Sequence, residues 1–169
     1  FQANYFTSLI SLGKWKLRQF IKPQFIIGFN RVNIIGDNLT INENYGIQGF
    51  NSPEYGTEKA ILTFQTQAYA PWNLWGFRLN PYFNYSIAML GNAKKGLLEN
   101  KAYSKIGVGF IINNDFLIFK SFQISLSYYP SIPGEGHNIF KTNSFETTDF
   151  GFQDFELKWF GSLSSLFRV

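Results

Sequence analysis

The chain contains one histidine and no cysteine, which leaves few routes to catalysis or metal binding. His137 lies among turn-forming residues, between Gly134 and Asn138. A zinc site needs several His, Cys or carboxylate ligands, and a serine hydrolase needs a histidine beside a serine and a carboxylate. The sequence has no Gly-x-Ser-x-Gly nucleophile elbow. We therefore expect His137 in an exposed loop and predict that the chain is not an enzyme.

Two other motifs could bind a ligand. Gly107 and Gly109 lack the third glycine and the following helix of a dinucleotide fingerprint, and on a strand they would instead permit bending or close packing. Asp37, Glu43 and Glu54 share one long loop and could hold a cation, although loop carboxylates are by default solvated. We predict no cofactor and no metal.

Composition restricts the class of protein further. The chain has 169 residues, of which 45% are hydrophobic, 20% aromatic and only 15% charged, against about 25% charged in typical soluble domains. The net charge of +4 is not gathered into a basic run, so the sequence does not indicate nucleic-acid binding. No apolar run reaches the roughly 18 residues of a transmembrane helix. The chain starts at Phe1 without a signal peptide, so we expect a mature or truncated piece.

The dominant hydrophobic period is two, which indicates β-strands. From Phe77 to Met89 the odd positions are almost all apolar and the even positions are mostly polar. This length exceeds the 9–11 residues or so that a tilted strand needs to cross a bilayer. The same pattern occurs in Tyr5–Leu12, Leu17–Arg31, Lys59–Tyr69, Tyr103–Asn113 and Phe119–Tyr129, and with a change of parity in Phe150–Trp159.

The connections between these strands alternate in length. Lys14–Lys16, Pro71–Gly76 and Asn113–Phe116 are short, whereas Val32–Glu58, Leu90–Ala102 and Ser131–Asp149 are long. Short turns at one end and long loops at the other are typical of outer-membrane barrels. Trp15, Trp72 and Trp75 fall in two of the short turns, where an interfacial aromatic girdle would lie.

We therefore predict an all-β fold, an antiparallel transmembrane β-barrel in the bacterial outer membrane. Seven strands would leave open edges in lipid, so residues 1–169 would be one part of a larger barrel. A soluble β-sandwich, which also alternates, is the competing prediction.

The order of the parts resembles the BamA/TamA superfamily, the bacterial surface antigen barrels. Members carry a Val/Ile-Arg-Gly-Phe/Tyr motif in a long loop that folds into the barrel, and here that loop reads Ile47, Gln48, Gly49, Phe50. The family's lumenal partner motif, Phe-x-Asp-x-Gly, corresponds to the strand carrying Asn84, Ser86 and Ala88. The glycine strand 106–110 and the Tyr-Tyr-Pro strand 125–130 look like the end of members from Bacteroidetes-type bacteria.

The resemblance implies that the chain is the C-terminal seven strands of a barrel of about sixteen strands. It implies that the loop of about 32–58 folds inward, and that Gln48 meets Asn84 and Ser86 through neutral hydrogen bonds. It also implies a role in inserting or translocating outer-membrane or surface proteins. The partners would then be the lipid bilayer, nascent outer-membrane proteins and periplasmic or lipoprotein subunits.

Three basic residues, Lys59, Arg78 and Lys105, fall on the side of the strands that would face a lumen. In a passive porin or structural barrel they would tune ion selectivity, and the 32–58 loop would lie outside. A third possibility within the same fold is a barrel that anchors an upstream hydrolase domain.

Overall fold

The computed structural model describes residues 1–29, 38–43, 46–91, 97–114 and 122–145, and these form one antiparallel sheet of eight strands. The all-β antiparallel fold class is confirmed. The strands are β1 (Tyr5–Phe6), β2 (Ile10–Leu12), β3 (Trp15–Ile27), β4 (Glu58–Tyr69), β5 (Phe77–Gly91), β6 (Ala102–Asn114), β7 (Phe122–Ile132) and β8 (Gly136–Phe145).

Neighbours in the sheet are mostly neighbours in the chain. Strands β3 to β8 pair in sequence order, and β1 and β2 both pair with β3. Within the described residues the sheet does not close on itself. A single 3₁₀ turn, Leu97–Glu99, is described between β5 and β6. No described helix is long and apolar enough to span a membrane.

Alternation of side chains gives the sheet two different faces. The face that includes β4 positions 59, 61, 63, 65 and 67 and β5 positions 80, 82, 84, 86 and 88 is buried and mostly polar, and is called the polar face. The opposite, apolar face includes Phe83, Val108 and Leu126, which are cross-strand neighbours on β5, β6 and β7. Side-chain type alternates along each strand because successive residues point to opposite faces of the sheet.

The structure corrects several predicted boundaries. The predicted loop Ser131–Asp149 is wrong, because β7 continues to Ile132 and β8 returns from Gly136 to Phe145 after a tight turn. The predicted strand Tyr5–Leu12 is split into β1 and β2, and β3 ends at Ile27 instead of reaching position 31. The predicted strand Phe150–Trp159 lies outside the described residues.

The connection between β4 and β5, residues 70–76, ends in a two-residue turn at the short-turn end of the sheet. Leu74 and Phe77 exchange backbone hydrogen bonds of 2.9 Å in both directions. Trp75 and Gly76 between them have φ angles of 53° and 83°. Positive φ at both central positions defines the type I′ turn, whose twist matches that of the flanking strands.

The larger hydrophobic core lies on the polar face, at the end of the sheet that carries the long β3–β4 connection. Residues from that connection pack there against residues from β4 to β7. The cluster consists of Ile41, Ile47, Phe50, Ile61, Ala88, Leu90, Tyr103, Tyr129 and Ile132. A second cluster on the same face contains Phe20, Tyr82 and Ile111.

Candidate functional site

The described part of the β3–β4 connection, residues 38–43 and 46–57, covers the polar face and is called the inner loop. Ile41, Ile47 and Phe50 have no exposed surface. The Phe50 ring lies 5.4 Å from the ring of Tyr103 on β6. Full burial of a large apolar side chain contributes about 1.5–3 kcal/mol, so these three residues alone hold the inner loop firmly on the sheet.

The inner loop also has regular structure of its own. Leu39 and Gly56 exchange backbone hydrogen bonds of 2.8 and 2.9 Å, which brings its two ends together. The Asn42 side chain donates to the Ser52 carbonyl at 2.8 Å and accepts from the Ser52 amide at 2.9 Å. These bonds satisfy backbone groups that would otherwise be buried without partners.

Three lysines on three strands donate to the inner loop. Lys59 Nζ lies 3.1 Å from the Thr40 carbonyl oxygen, and Lys105 Nζ lies 3.3 Å from Gln48 Oε1. Lys141 Nζ on β8 lies 2.9 Å from the Gly49 carbonyl oxygen.

Two tyrosines add to these contacts. The Tyr129 hydroxyl donates to the Gln48 carbonyl oxygen at 2.5 Å, and the Tyr103 hydroxyl donates to Glu54 at 2.6 Å. In each of these five bonds the sheet supplies the donor and the inner loop supplies the acceptor.

The structure places the predicted motif residues of the inner loop on the polar face, but with a different partner for Gln48. Its side chain meets Lys105, which lies directly opposite Ser86 in the sheet register. Ser86 bonds to Thr63 at 3.1 Å, and neither polar atom of the Asn84 side chain has a hydrogen-bond partner. Ala88 lies in the hydrophobic cluster under the inner loop.

The three predicted lumen-facing charges fall into two groups. Lys59 and Lys105 are buried under the inner loop, whereas Arg78 is exposed near the β4–β5 turn. The ammonium groups of Lys59 and Lys105 therefore act first as anchors of the inner loop.

Sequence reasoning missed Lys141 and the tyrosine anchors. Lys141 falls in the predicted loop Ser131–Asp149, because the segment that forms β8 lacks a clear alternation of polar and apolar residues. Tyr129 and Tyr103 are recognisable as strand residues, but nothing in their spacing indicates that their hydroxyls reach the inner loop.

Farther along the polar face, Gly107 and Gly109 provide space for neighbouring side chains. A methyl group at Gly109 would overlap the Ile124 carbonyl oxygen and lie 2.8 Å from the Tyr82 ring. The Tyr82 hydroxyl accepts a hydrogen bond of 2.7 Å from Gln123. A methyl group at Gly107 would meet Ser127 Oγ at 3.1 Å and Lys105 Cε at 3.5 Å.

The arrangement contains no assembled catalytic or metal centre among the residues that the structure describes. His137 is exposed on β8, where it pairs in register with Ser131. No three described His, Asp or Glu side chains converge to form a metal site.

The apolar face is uncovered across the described strands. Ten of its large side chains are between 40% and 65% exposed: Phe25, Ile27, Phe83, Ile106, Val108, Phe110, Phe122, Ile124, Leu126 and Phe140. Phe110 lies directly opposite Ile124, and Phe140 lies 5.0 Å from Tyr128, so the exposed residues of β5 to β8 form one continuous patch.

No protein-family model, curated protein or solved structure matches the chain.

Proposed function

We propose that this sheet is part of the wall of an outer-membrane β-barrel, with the apolar face against lipid and the inner loop plugging the lumen. The observation that carries the proposal is the inversion of the two faces. Large apolar side chains are exposed, whereas Gln65, Asn84 and Ser127 are at most 1% exposed. A continuous apolar patch of this kind is rare on a soluble monomer but is the normal outer surface of a barrel.

The strand lengths support the same proposal. Strands β3 to β8 have between 10 and 15 residues, and about 9–11 residues cross a bilayer when the strand is tilted. A soluble sandwich would need a second layer over the apolar face, and nothing among the described residues covers that face.

The inner loop favours a plugged barrel over a passive porin. A porin of this chain would keep residues 32–58 outside an open lumen, whereas Ile41, Ile47 and Phe50 are fully buried on the polar face. We propose that the barrel acts in inserting or translocating outer-membrane or surface proteins, as its resemblance to the BamA/TamA superfamily implies. The inward position of the loop that carries Gln48 agrees with that resemblance.

Spin-label accessibility tests the membrane part of the proposal. The chain has no cysteine, so single-cysteine variants label one position each. Labels at Val108 and Leu126 in membrane-inserted protein should collide readily with oxygen and rarely with a water-soluble nickel chelate. Labels at Tyr55 and Lys101 serve as exposed controls and should give the opposite ratio. Free access of the chelate to all four labels would contradict insertion.

Depletion in the host cell tests the assembly role. If the protein assembles other barrels, quantitative proteomics of the outer membrane should find several of them reduced several-fold. Unchanged levels of the other barrels, combined with slower uptake of small solutes, would instead identify a passive channel.

A further inference from the structure

We propose that the polar face binds a small inorganic anion beside Gly107, between Lys105, Asn84, Gln65 and Ser127. The site shares Lys105 with the contacts that hold the inner loop, and it does not depend on whether the apolar face meets lipid. Chloride is the simplest occupant.

Lys105, Asn84 and Ser127 surround one point, and Gln65 lies next to Asn84 in the same row across the sheet. The position that a methyl group at Gly107 would occupy is 3.1 Å from Ser127 Oγ, 3.5 Å from Lys105 Cε and 3.8 Å from Asn84 Cβ. Gln65 is the direct cross-strand partner of Asn84. Gly107 itself lies between Asn84 and Ser127 in the register of β5, β6 and β7.

Lys105 keeps its bond to Gln48, but the other three side chains of the site are buried and lack hydrogen-bond partners. Gln65 and Asn84 are each 1% exposed and Ser127 is fully buried. Neither the nitrogen nor the oxygen of either amide makes a hydrogen bond, and neither does Ser127 Oγ. Leaving buried polar atoms unsatisfied costs about 1–3 kcal/mol each. Three such atoms belong to Asn84 and Ser127 beside this point, and two more belong to Gln65 next to Asn84. Together they indicate that a polar ligand completes the site.

The chemistry of the site favours an anion. A lysine brings three N–H donors, each amide two and a serine one, and the two amides can bond to each other and still present N–H groups. The described strands carry only one carboxylate, Glu58, and its position belongs to the apolar face. A cation would meet the Lys105 ammonium without a compensating charge, which is costly at a buried site.

Anion-dependent unfolding of the purified, folded full chain tests the proposal. Midpoints of thermal unfolding are measured as sodium chloride or sodium bromide replaces sodium gluconate at constant ionic strength. A bound anion should raise the unfolding midpoint along a saturating curve as its concentration increases. Chloride that exchanges with the site should also show a broadened ³⁵Cl resonance, and added bromide should narrow it by displacing the chloride. The Ser127→Ala variant should bind chloride about tenfold more weakly or worse, since it removes a charged hydrogen bond.

Two charge-removing variants complete the experiment. Lys105→Met should abolish the saturating curve and the line broadening. Arg78→Met removes a charge from the same face, six residues along β5 from Asn84, and should retain both. If Lys105→Met does not fold, Ser127→Ala and the wild-type resonances decide the question. No saturating response in the wild type, or an unchanged affinity in Ser127→Ala, would mean that only water fills the site and would overturn the proposal.

Discussion

The side-chain nitrogen of Lys105 lies 3.3 Å from Gln48 Oε1, so the sheet carries the cation and the inner loop carries the acceptor. Lys105 is buried on the polar face and anchors the inner loop from the sheet side of this contact.

Because the sheet supplies the cationic donor and the inner loop the acceptor, two substitutions of Gln48 should have opposite effects. Gln48→Glu would place a carboxylate beside Lys105 and should make the inner loop harder to cleave. Gln48→Arg would bury a second cation there and should destabilise the closed loop by about 2 kcal/mol or more. At about 1.4 kcal/mol per factor of ten, limited proteolysis of the inner loop should accelerate at least tenfold.

A second-site change provides the control for this prediction. Ser86 lies opposite Lys105 in the register, so Ser86→Asp would add a carboxylate next to Lys105 on the polar face. The double variant Gln48→Arg, Ser86→Asp should return to nearly the wild-type cleavage rate. An arginine variant that is cleaved no faster than the wild type would contradict the role assigned to Lys105.

The apolar anchors predict the largest loss of stability. Phe50 is fully buried and packs against Tyr103, so Phe50→Ala should lower the free energy of unfolding by about 3–5 kcal/mol. Tyr55 belongs to the same loop but is 55% exposed, and Tyr55→Ala should change stability by less than about 0.5 kcal/mol. Urea unfolding in detergent measures both values, and similar losses for the two variants would argue against a buried plug.

Adjacent tyrosines on β7 offer a matched pair. The Tyr129 hydroxyl donates to the Gln48 carbonyl from a buried position, whereas the exposed Tyr128 hydroxyl donates to Asn138 Oδ1 at 2.7 Å. Tyr129→Phe should cost about 1–3 kcal/mol because it leaves a buried carbonyl unsatisfied. Tyr128→Phe should cost much less, since it removes one exposed side-chain hydrogen bond and leaves no buried carbonyl unsatisfied. Equal costs in urea unfolding would show that the first hydroxyl is not an anchor.

Alanine substitutions at the two glycines of β6, Gly107 and Gly109, should lower the stability of the chain to different extents. Alanine at Gly109 would overlap the backbone of β7 and the Tyr82 ring, so the β6–β7 pairing would have to shift. Gly109→Ala should therefore destabilise the chain by about 3 kcal/mol or prevent folding. Alanine at Gly107 meets only side-chain atoms, which can move, and should cost about 1 kcal/mol. The unfolding midpoints in urea should fall in that order, and the reverse order would contradict the packing described.

The sequence predicts a strand accurately where polar and apolar residues alternate clearly along it. The segment Phe77–Met89 alternates clearly, and its start agrees with β5 while its end is two residues short. The segment of β8 mixes Asn, Lys, Thr and Ser with few apolar residues, so its pairing depends on β7 and on the Lys141 contact with Gly49. Such tertiary support leaves no periodic pattern in the sequence.

The contact between the inner loop and the sheet could likewise be predicted only in part. Position in a long loop and the resemblance predict that Gln48 points inward, whereas nothing in the sequence predicts Lys105 as its partner. Asn84, Ser86 and Lys105 are all polar-face residues of adjacent strands, and only the length and direction of the lysine side chain decide which of them reaches the loop.

A substitution in the β4–β5 turn should change the stability of the chain differently in detergent and in lipid vesicles. Trp75 is 95% exposed and has a positive φ, which costs a bulky residue about 1–2 kcal/mol and suits asparagine better. Trp75→Asn should stabilise the chain by about 1 kcal/mol in detergent. In lipid vesicles the gain should shrink or reverse, because an indole at the headgroup level contributes favourably.

Trp72 is the control for this turn. Its ring packs edge-on against Trp15 at 4.9 Å and its φ is not positive, so Trp72→Asn removes a contact without relieving any strain. We expect Trp72→Asn to destabilise the protein in both environments. A stabilisation by Trp75→Asn that is equally large in vesicles would place this turn in water, away from the membrane interface, and would move the proposed bilayer boundary toward the middle of β5.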